Sequence, residues 1–387
     1  MKTLAQHLVV EPKQRDLAWI KSALQTAISL EHATLPLYIA ATYSLNVQNF
    51  TAYNLIRSIA MEEMVHMAAV SNILAAIGGA PQIKSLNPAY PSLGLPGGAE
   101  PDLFVCLAPL SKEQLKNFMR LEAPVSLLDP KYAEEGYESI SNFYAAIRIA
   151  IVDNARLVRD AVKAGGKSNQ VGDNIGFSTI VWSDKTDCMD SILAAIDSIT
   201  AQGEGLVESV FHAGGESEAE ESHYARFAQI RYEAKLTDGL RDTRPTRETI
   251  EDFFKGYKIP FPDVTNTLAV PADGYESILA QDPDRDAVAR DLVGFDTGYS
   301  QMLAGLDASW NGDPAKWWPT LGGAVELMAK LRVLACFNVM KHEVPTDLVT
   351  NLAKIYRADD FAMMSTYTRL DKPVFYGPRF RNLNVTS

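Results

Sequence analysis

The chain has few cysteines, and it has no long apolar run. Its three cysteines, Cys106, Cys188 and Cys336, lie far apart and form no Cys-x-x-Cys pair. This spacing argues against a disulfide framework and favours a reducing compartment, so a cytoplasmic location is expected. No apolar run approaches the length of about 18 residues that crosses a bilayer, and residues 1–14 lack the pattern of a signal peptide. The sequence therefore predicts no membrane partner.

Basic charge is also scarce. The formal net charge is −12 over 387 residues, and no basic run or basic helix face is present. Because a nucleic-acid partner requires clustered lysine and arginine, we expect no nucleic-acid binding. The hydrophobic share of 47% is ordinary for a globular protein with one large core or two smaller ones.

A Glu-x-x-His motif, Glu63 to His66, lies in the middle of a segment with one continuous helical pattern over about 52–77. Apolar residues recur there at spacings of three and four, which puts the motif on the face of Ile56, Ile59, Val70, Ile73 and Ile77. A carboxylate on a buried face takes up a proton, finds a partner or binds a metal, because burying it unpaired costs several kcal/mol.

A further glutamate lies on the apolar stripe of the preceding helix. This helix is predicted over about 15–43, and Glu31 falls between Ile28 and Leu35. Pro36 follows within about two turns and is expected to kink the helix, because proline removes one backbone hydrogen bond.

The pattern of a lone glutamate followed by Glu-x-x-His recurs later in the chain. Glu204 lies on the stripe of a helix predicted over about 186–211, between two glycines. Each glycine costs a helix interior roughly 1 kcal/mol relative to alanine, which suggests that a backbone or ligand approaches closely there. Glu220 and His223 form the second Glu-x-x-His, on a helix predicted over about 217–235.

Two such halves supply the ligands of a dimetal carboxylate site in a four-helix bundle of the ferritin type. Four carboxylates balance the charge of two divalent cations, and each histidine gives one metal a nitrogen donor. Mixed oxygen and nitrogen donors suit iron, with manganese as the alternative, better than a structural zinc. The predicted metal ligands are Glu31, Glu63, His66, Glu204, Glu220 and His223.

The predicted fold is mainly α, with a ferritin-like four-helix bundle over 1–240 that contains a large insertion at 81–185. Extra helices at about 284–308 and 322–341 belong to a C-terminal region, 241–387, packed on the bundle. Within the insertion, 103–107 and 178–182 are short strand candidates, and helices are predicted from Ser111 to about Leu121 and over about 137–162. The end, 375–380, is predicted as an extended surface tail.

Other polar residues near the motifs receive lesser roles. Glu62 is off the apolar line, which predicts an outer or surface position. Glu208, Glu122 and Glu138 are secondary ligand candidates, His32 and His212 are assigned structural roles, and Tyr38 and Tyr224 are candidates for lining the pocket or packing in the core.

Three stretches carry a resemblance to a known family. They are Ile59–His66, Ile199–Gly205 and Ser222–Phe227. Together with Asn311-Gly312, the predicted helix at 322–341 and 377–380, they resemble the ferritin-like domain of iminophenyl-pyruvate dimer synthases. Those enzymes couple oxidised tryptophan-derived units in violacein and indolocarbazole biosynthesis. The resemblance spans most of residues 15–380 and implies the same fold and the same six metal ligands, but not the same substrate.

Three functions remain open from the sequence. The first is a di-iron oxidoreductase or oxidative coupling enzyme acting on a small, amino-acid-derived molecule, with no catalytic side chain assigned. The second is a non-catalytic iron-binding protein, although a minimal ferritin-like bundle needs far fewer residues. The third is a site without metal whose Glu and His side chains bond one another. A homodimer is the default oligomeric expectation.

Overall fold

The structure is a computed structural model that describes residues 3–46, 50–123, 127, 139–165, 170–172, 177–183, 185–204, 211, 221–237, 246 and 249–385, without the side chain of residue 204. Its α-helices are α1 (Leu4–Leu8), α2 (Leu17–Ser44), α3 (Phe50–Ala76), α4 (Lys112–Leu121), α5 (Ile140–Asp153), α6 (Ala155–Gly165), α7 (Cys188–Glu204), α8 (His223–Tyr232), α9 (Glu276–Leu279), α10 (Arg285–Asn311), α11 (Trp317–Val333), α12 (Thr346–Ile355) and α13 (Ala358–Tyr367). Two strands, β1 (Ser92–Leu95) and β2 (Ala99–Val105), pair antiparallel.

The bundle is built from α2, α3, α7 and α8. The two long helices α2 and α3 pack along each other, while α7 and α8 pack against α3 and against one another. Asp16 caps α2 by accepting a hydrogen bond from the Trp19 amide at 2.8 Å, which satisfies one of the free N–H groups of the first turn. Helices α4 and α5 from the insertion pack on α8 and α2 respectively. The predicted mainly α fold with a four-helix bundle is confirmed.

Two helix boundaries differ from the prediction. The fourth bundle helix starts at His223 and not near residue 217, because Ser222 is extended and its hydroxyl accepts the Ala225 amide as an N-cap. The helix predicted over 137–162 is divided into α5 and α6 at Asn154. The Asn154 side-chain amide donates to the carbonyls of Ala150 and Arg15, which competes with the regular helical pattern.

The insertion contains one strand pair. The strand predicted at 103–107 corresponds to the end of β2, which pairs with β1. The strand predicted at 178–182 is wrong, since the backbone there bonds to side chains. The carbonyl of Ser178 accepts from Asn72, and the amide and carbonyl of Ile180 bond to the side chain of Gln170.

The C-terminal region packs as helices and a buried tail. Helices α10 and α11 form a hairpin and correspond to the two predicted there, while α12 and α13 were not predicted. The prediction that the tail at 375–380 lies on the surface is wrong. Tyr376 and Phe380 are buried, and Arg379 pairs with the buried Asp296 at 2.5 Å. The division between 1–240 and 241–387 stays a prediction.

Asn72 on α3 ties three parts of the chain together. Its amide donates to the carbonyls of Val171 and Ser178, and its carbonyl oxygen accepts from the Val171 amide and from Trp310 Nε1, at 2.9 to 3.1 Å.

Asn72→Leu is expected to lower the free energy of unfolding by about 3 kcal/mol, because it leaves buried donors without partners. Urea unfolding measures this, with Ser71→Ala as the neighbouring control; equal losses in the two variants would contradict it.

None of the helices in the described ranges is long and apolar enough to cross a membrane.

Candidate metal centre

Four of the six predicted ligands meet in the bundle core. Glu31, Glu63, His66 and His223 are all buried, with at most 5% of each exposed. Glu31 comes from α2, the next two from α3 and His223 from the first turn of α8. The two remaining predicted ligands stay predictions: Glu204 ends α7 with its side chain undescribed, and Glu220 lies outside the described residues.

A fifth side chain completes the cluster. Glu122 follows the last residue of α4 and is 7% exposed. The ligand atoms of Glu31, Glu63 and His66 lie within 4.8 Å of one another, and so do those of Glu63, Glu122 and His223. Glu63 belongs to both groups, so the cluster consists of two three-residue groups that share one carboxylate.

Glu63 lies between two imidazoles. Its Oε1 is 2.9 Å from Nδ1 of His223 and 3.7 Å from Nδ1 of His66. The two rings are stacked at 25° with their centroids 5.6 Å apart. On the outer sides, Nδ1 of His66 faces Glu31 at 3.6 Å and Nδ1 of His223 faces Glu122 at 3.3 Å. Both imidazoles therefore point Nδ1 at carboxylate oxygens.

Each carboxylate has a hydroxyl donor on its other oxygen. Tyr144 donates to Glu31, and Tyr38 donates to Glu122. The second oxygen of Glu63 accepts from the hydroxyl of Thr34 at 3.0 Å. These donors fix the orientation of all three carboxylates, which leaves one oxygen of each turned toward an imidazole.

The outer nitrogens of the two imidazoles have different partners. Nε2 of His66 donates to the side-chain oxygen of Gln202 at 2.6 Å. Nε2 of His223 donates to Glu62 at 2.9 Å, and both oxygens of Glu62 accept from Arg226 at 2.5 and 2.7 Å. With Nε2 acting as the donor on each ring, Nδ1 is the atom free to bind a metal.

Burial and like charge perturb the titration of the cluster. Burial, followed by the charge of Glu122, raises the pKa of Glu63 to about 7. Burial opposes a charged His223, but Glu122, Glu62 and Glu63 outweigh it and hold its pKa well above the usual value. Burial likewise opposes a charged His66, whose pKa is nevertheless raised by its bond to Glu31 and the nearby carboxylates. All three pKa shifts favour the protonated forms, so a bound cation would have to displace protons from these groups.

Glu122 reaches the cluster because α4 packs on α8 and because α7 leaves room for its carboxylate. Tyr38 of α2 packs its ring against Phe118 of α4 and Phe227 of α8, with centroids 4.8 and 5.0 Å apart. Gly203 of α7 leaves the space that Glu122 occupies, since a Cβ there would lie 3.1 Å from Oε2 of Glu122. The close approach predicted at Gly203 is thus that of a carboxylate, while Gly205 lies outside the described residues.

The donors present fit a dimetal carboxylate site. Each group offers two carboxylates and one bare imidazole nitrogen, the oxygen and nitrogen donors that suit iron and manganese. A small cavity of about 40 Å³ lies against the cluster, lined in part by Leu121, Ile140, Ile199 and Thr200. It has room for a few atoms beside the carboxylates.

The family profile described as Ferritin-like matches residues 24–232, more than half of the chain. The chain belongs to the ferritin-like family. A solved ferritin-like protein from Caulobacter vibrioides has a similar fold, with a TM-score of 0.52 and 22% identity, covering 81% of this chain and 96% of that one.

Two curated relatives of this ferritin-like chain are biosynthetic enzymes by name. A 2-imino-3-(indol-3-yl)propanoate dimerase from Chromobacterium violaceum is 31% identical over 184 residues, 44% of this chain and 16% of the relative. A dichlorochromopyrrolate synthase from Lentzea aerocolonigenes is 27% identical over 272 residues, 66% of this chain and 24% of the relative. The chain thus spans a quarter or less of the length of each.

The sequence contained a signal for Glu122 that was ranked low. Leu115, Phe118 and Glu122 follow one another at spacings of three and four, so Glu122 lies on the apolar stripe of α4. Arg226 had no such signal, because its pairing with Glu62 of α3 depends on how two helices meet. Glu62 occupies the outer position predicted for it.

The remaining candidates lie away from the cluster or outside the described residues. His32 faces the other side of α2, where its Nε2 bonds to Tyr299 at 2.7 Å. Tyr224 is buried in α8 without lining the cavity of about 40 Å³. Glu138, Glu208 and His212 lie outside the described residues.

Proposed function

We propose that this ferritin-like protein binds two divalent metal ions, iron in the first place and manganese as the alternative, and is an oxidoreductase for a small amino-acid-derived substrate. The ligands are Glu31, Glu63, His66, Glu122 and His223. A fourth carboxylate, Glu204 or Glu220, completes the neutralisation of two divalent cations.

The observation that carries this proposal is the sharing of Glu63 between two buried three-residue groups. One carboxylate facing two imidazole nitrogens is the arrangement in which a bridging ligand serves two ions. A structural ion pair would need neither the second imidazole nor the third carboxylate, and burying three carboxylates is costly without cations.

The protein side chains have separate tasks in the proposed reaction. Two iron ions, when bound, supply redox chemistry with dioxygen or peroxide. Tyr144, Tyr38 and Thr34 orient the carboxylates through their hydroxyls. The apolar cavity wall formed by Leu121, Ile140 and Ile199 excludes bulk water from the cluster.

The names of the relatives indicate which substrate class to test first. Their names describe a dimerase of an indole-bearing imino acid and a synthase of dichlorochromopyrrolate. Since this chain covers only a small part of each, an amino-acid-derived imine is the first substrate class to test, and a dimeric coupling product is the first product class.

Metal analysis of the purified full chain tests the proposal. We expect about two iron ions per chain after anaerobic addition of ferrous salt, followed by a change in the near-ultraviolet absorption on exposure to air. Consumption of oxygen or peroxide with indole- or phenyl-bearing imino acids then separates an oxidoreductase from a protein that only binds iron. A chain that binds no metal and keeps its Glu and His side chains bonded to one another contradicts the proposal.

Glu62→Gln is expected to weaken metal binding at the His223 position by about 10- to 100-fold. The ionised carboxylate that accepts from Nε2 makes Nδ1 of His223 a better metal ligand, and the substitution makes this partner neutral. Competition with a metal-sensitive dye measures this. The matched control is Gln202→Ala, which removes a neutral partner from His66 and is expected to cost less. A Glu62→Gln variant with wild-type affinity at both positions would rule out this role for Glu62.

A further inference from the structure

Helix α11 packs on the protein through only one of its apolar faces. Leu321, Ala324 and Leu331 are buried against α10. Two glycines of α10 permit this close packing, because a Cβ at Gly305 would lie 3.2 Å from Ala324 and one at Gly298 would lie 3.2 Å from Leu331. This face is therefore fully used within the chain.

A second apolar face of α11 is exposed. Trp318 is 56% exposed, Val325 51% and Val333 52%. Residues on this face follow one another at spacings of four, three, four and four from Trp318 to Val333. The face continues into the π-helical turn at Leu334–Val339, so it forms one stripe about 30 Å long. We name it the α11 stripe, made of Trp318, Gly322, Val325, Ala329, Val333 and Phe337, the last being 70% exposed.

Contiguous apolar surface exposed on a globular protein often marks a site where another molecule binds. The large side chains lie at its two ends, Trp318 and Phe337, and small ones lie between them. A second helix can approach closely in the middle, because Gly322 and Ala329 take little space.

Charges beside the stripe indicate the partner. Glu326 and Lys330 are exposed on one flank of the α11 stripe, one turn apart. They carry opposite charges and lie on the same side of the α11 stripe. If a second copy of this helix packs antiparallel on the stripe, each of these charges faces the opposite charge of the other copy.

We propose that the α11 stripe is a homodimer surface on which α11 of a second copy of this chain packs antiparallel. A twofold axis that crosses the helix near residues 327–328 brings Trp318 of one copy against Phe337 of the other. In an antiparallel pair of identical helices, each flank faces the same flank of the other copy. Glu326 of each copy therefore faces Lys330 of the other, which gives two ion pairs.

The same axis brings Val325 opposite Ala329 and Gly322 opposite Val333. The centre of the contact thus consists of small apolar side chains. Aromatic side chains lie at its two ends, and two pairs of opposite charge lie along its flank. A partner of another sequence would not need this symmetry about a single point of the helix.

Sedimentation equilibrium of the full-length chain tests the homodimer. We expect twice the 42.5 kDa of one chain in the wild type. Glu326→Lys and Lys330→Glu should each raise the dimer dissociation constant by about tenfold or more, because each puts two like-charged pairs across the axis. The double variant Glu326→Lys/Lys330→Glu should return to within about threefold of the wild type.

Mixing the two single variants gives the sharpest test. A heterodimer of Glu326→Lys with Lys330→Glu has opposite charges at both positions, so mixing should restore association that each variant lacks alone. Glu113→Lys and Lys116→Glu, on the exposed side of α4, are controls for the change in net charge. A wild type that is monomeric at about 100 µM, or single variants that dimerise as tightly as the wild type, would overturn the proposal.

Discussion

Glu63→Ala is expected to reduce the bound metal from about two ions per chain to none at micromolar concentrations. Glu63 is the one described carboxylate that belongs to both three-residue groups, so its loss takes a ligand from each position at once. The helical content should change little, since the backbone of α3 is held by its pairing with α2. Metal analysis after gel filtration, together with circular dichroism, measures both quantities.

The comparison with one-sided variants sharpens this prediction. His66→Ala and His223→Ala remove a nitrogen donor from one group each, so each should lose one position more severely than the other. Glu113→Gln, exposed on α4, should keep the wild-type stoichiometry. Two metal ions in Glu63→Ala would refute the shared-ligand arrangement.

Metal binding should weaken as the pH falls below about 7. Burial and the charge of Glu122 raise the pKa of Glu63 to about 7, so a proton competes with metal for this carboxylate in that range. The raised pKa of His66 and His223 acts in the same direction, because an imidazolium cannot ligate a metal.

Arg226→Ala is expected to lower the free energy of unfolding of the metal-free protein by about 2–3 kcal/mol. Arg226 holds both oxygens of Glu62 and also donates to Ser58 and to the carbonyl of Glu221. Removing it leaves a largely buried carboxylate with half of its counter-charge. The loss of stability is smaller than for a fully buried ion pair, because 19% of the Glu62 side chain is exposed.

A double-mutant cycle separates charge from packing in this effect. Glu62→Gln on the background of Arg226→Ala should recover part of the lost stability, since the unpaired charge is gone. Arg231→Ala on the same helix should cost no more than about 0.5 kcal/mol. If the double variant is as unstable as the sum of both single variants, the buried charge is not the cause.

Three members of the cluster could be predicted from the sequence because helical phase is a local property. Glu31, Glu63 and His66 lie on apolar stripes whose spacing already puts them on buried faces. The burial of His223 was predicted correctly, but the local structure around it differs from the prediction. Ser222, the residue before it, is the N-cap of α8, so His223 is the first residue of this helix and does not lie within a helix that begins near residue 217.

The rest depended on contacts between distant parts of the chain. Glu122 completes the cluster only because α4 packs on α8 and because Gly203 leaves room for its carboxylate. The burial of the C-terminal tail depends on Asp296, 83 residues before Arg379. Neither pairing has a periodic signal, so side-chain spacing along one segment does not predict it.

The origin of Glu122 also affects how far the protein could be shortened. Glu122 comes from a short helix in the connection between the two halves of the bundle, not from α2, α3, α7 or α8. An engineer who trimmed that connection to obtain a minimal scaffold would keep Glu31, Glu63 and His66 but delete one carboxylate of the second group. The connection between the halves therefore contributes directly to the cluster, and a graft of the four bundle helices alone would lack one of its three carboxylates.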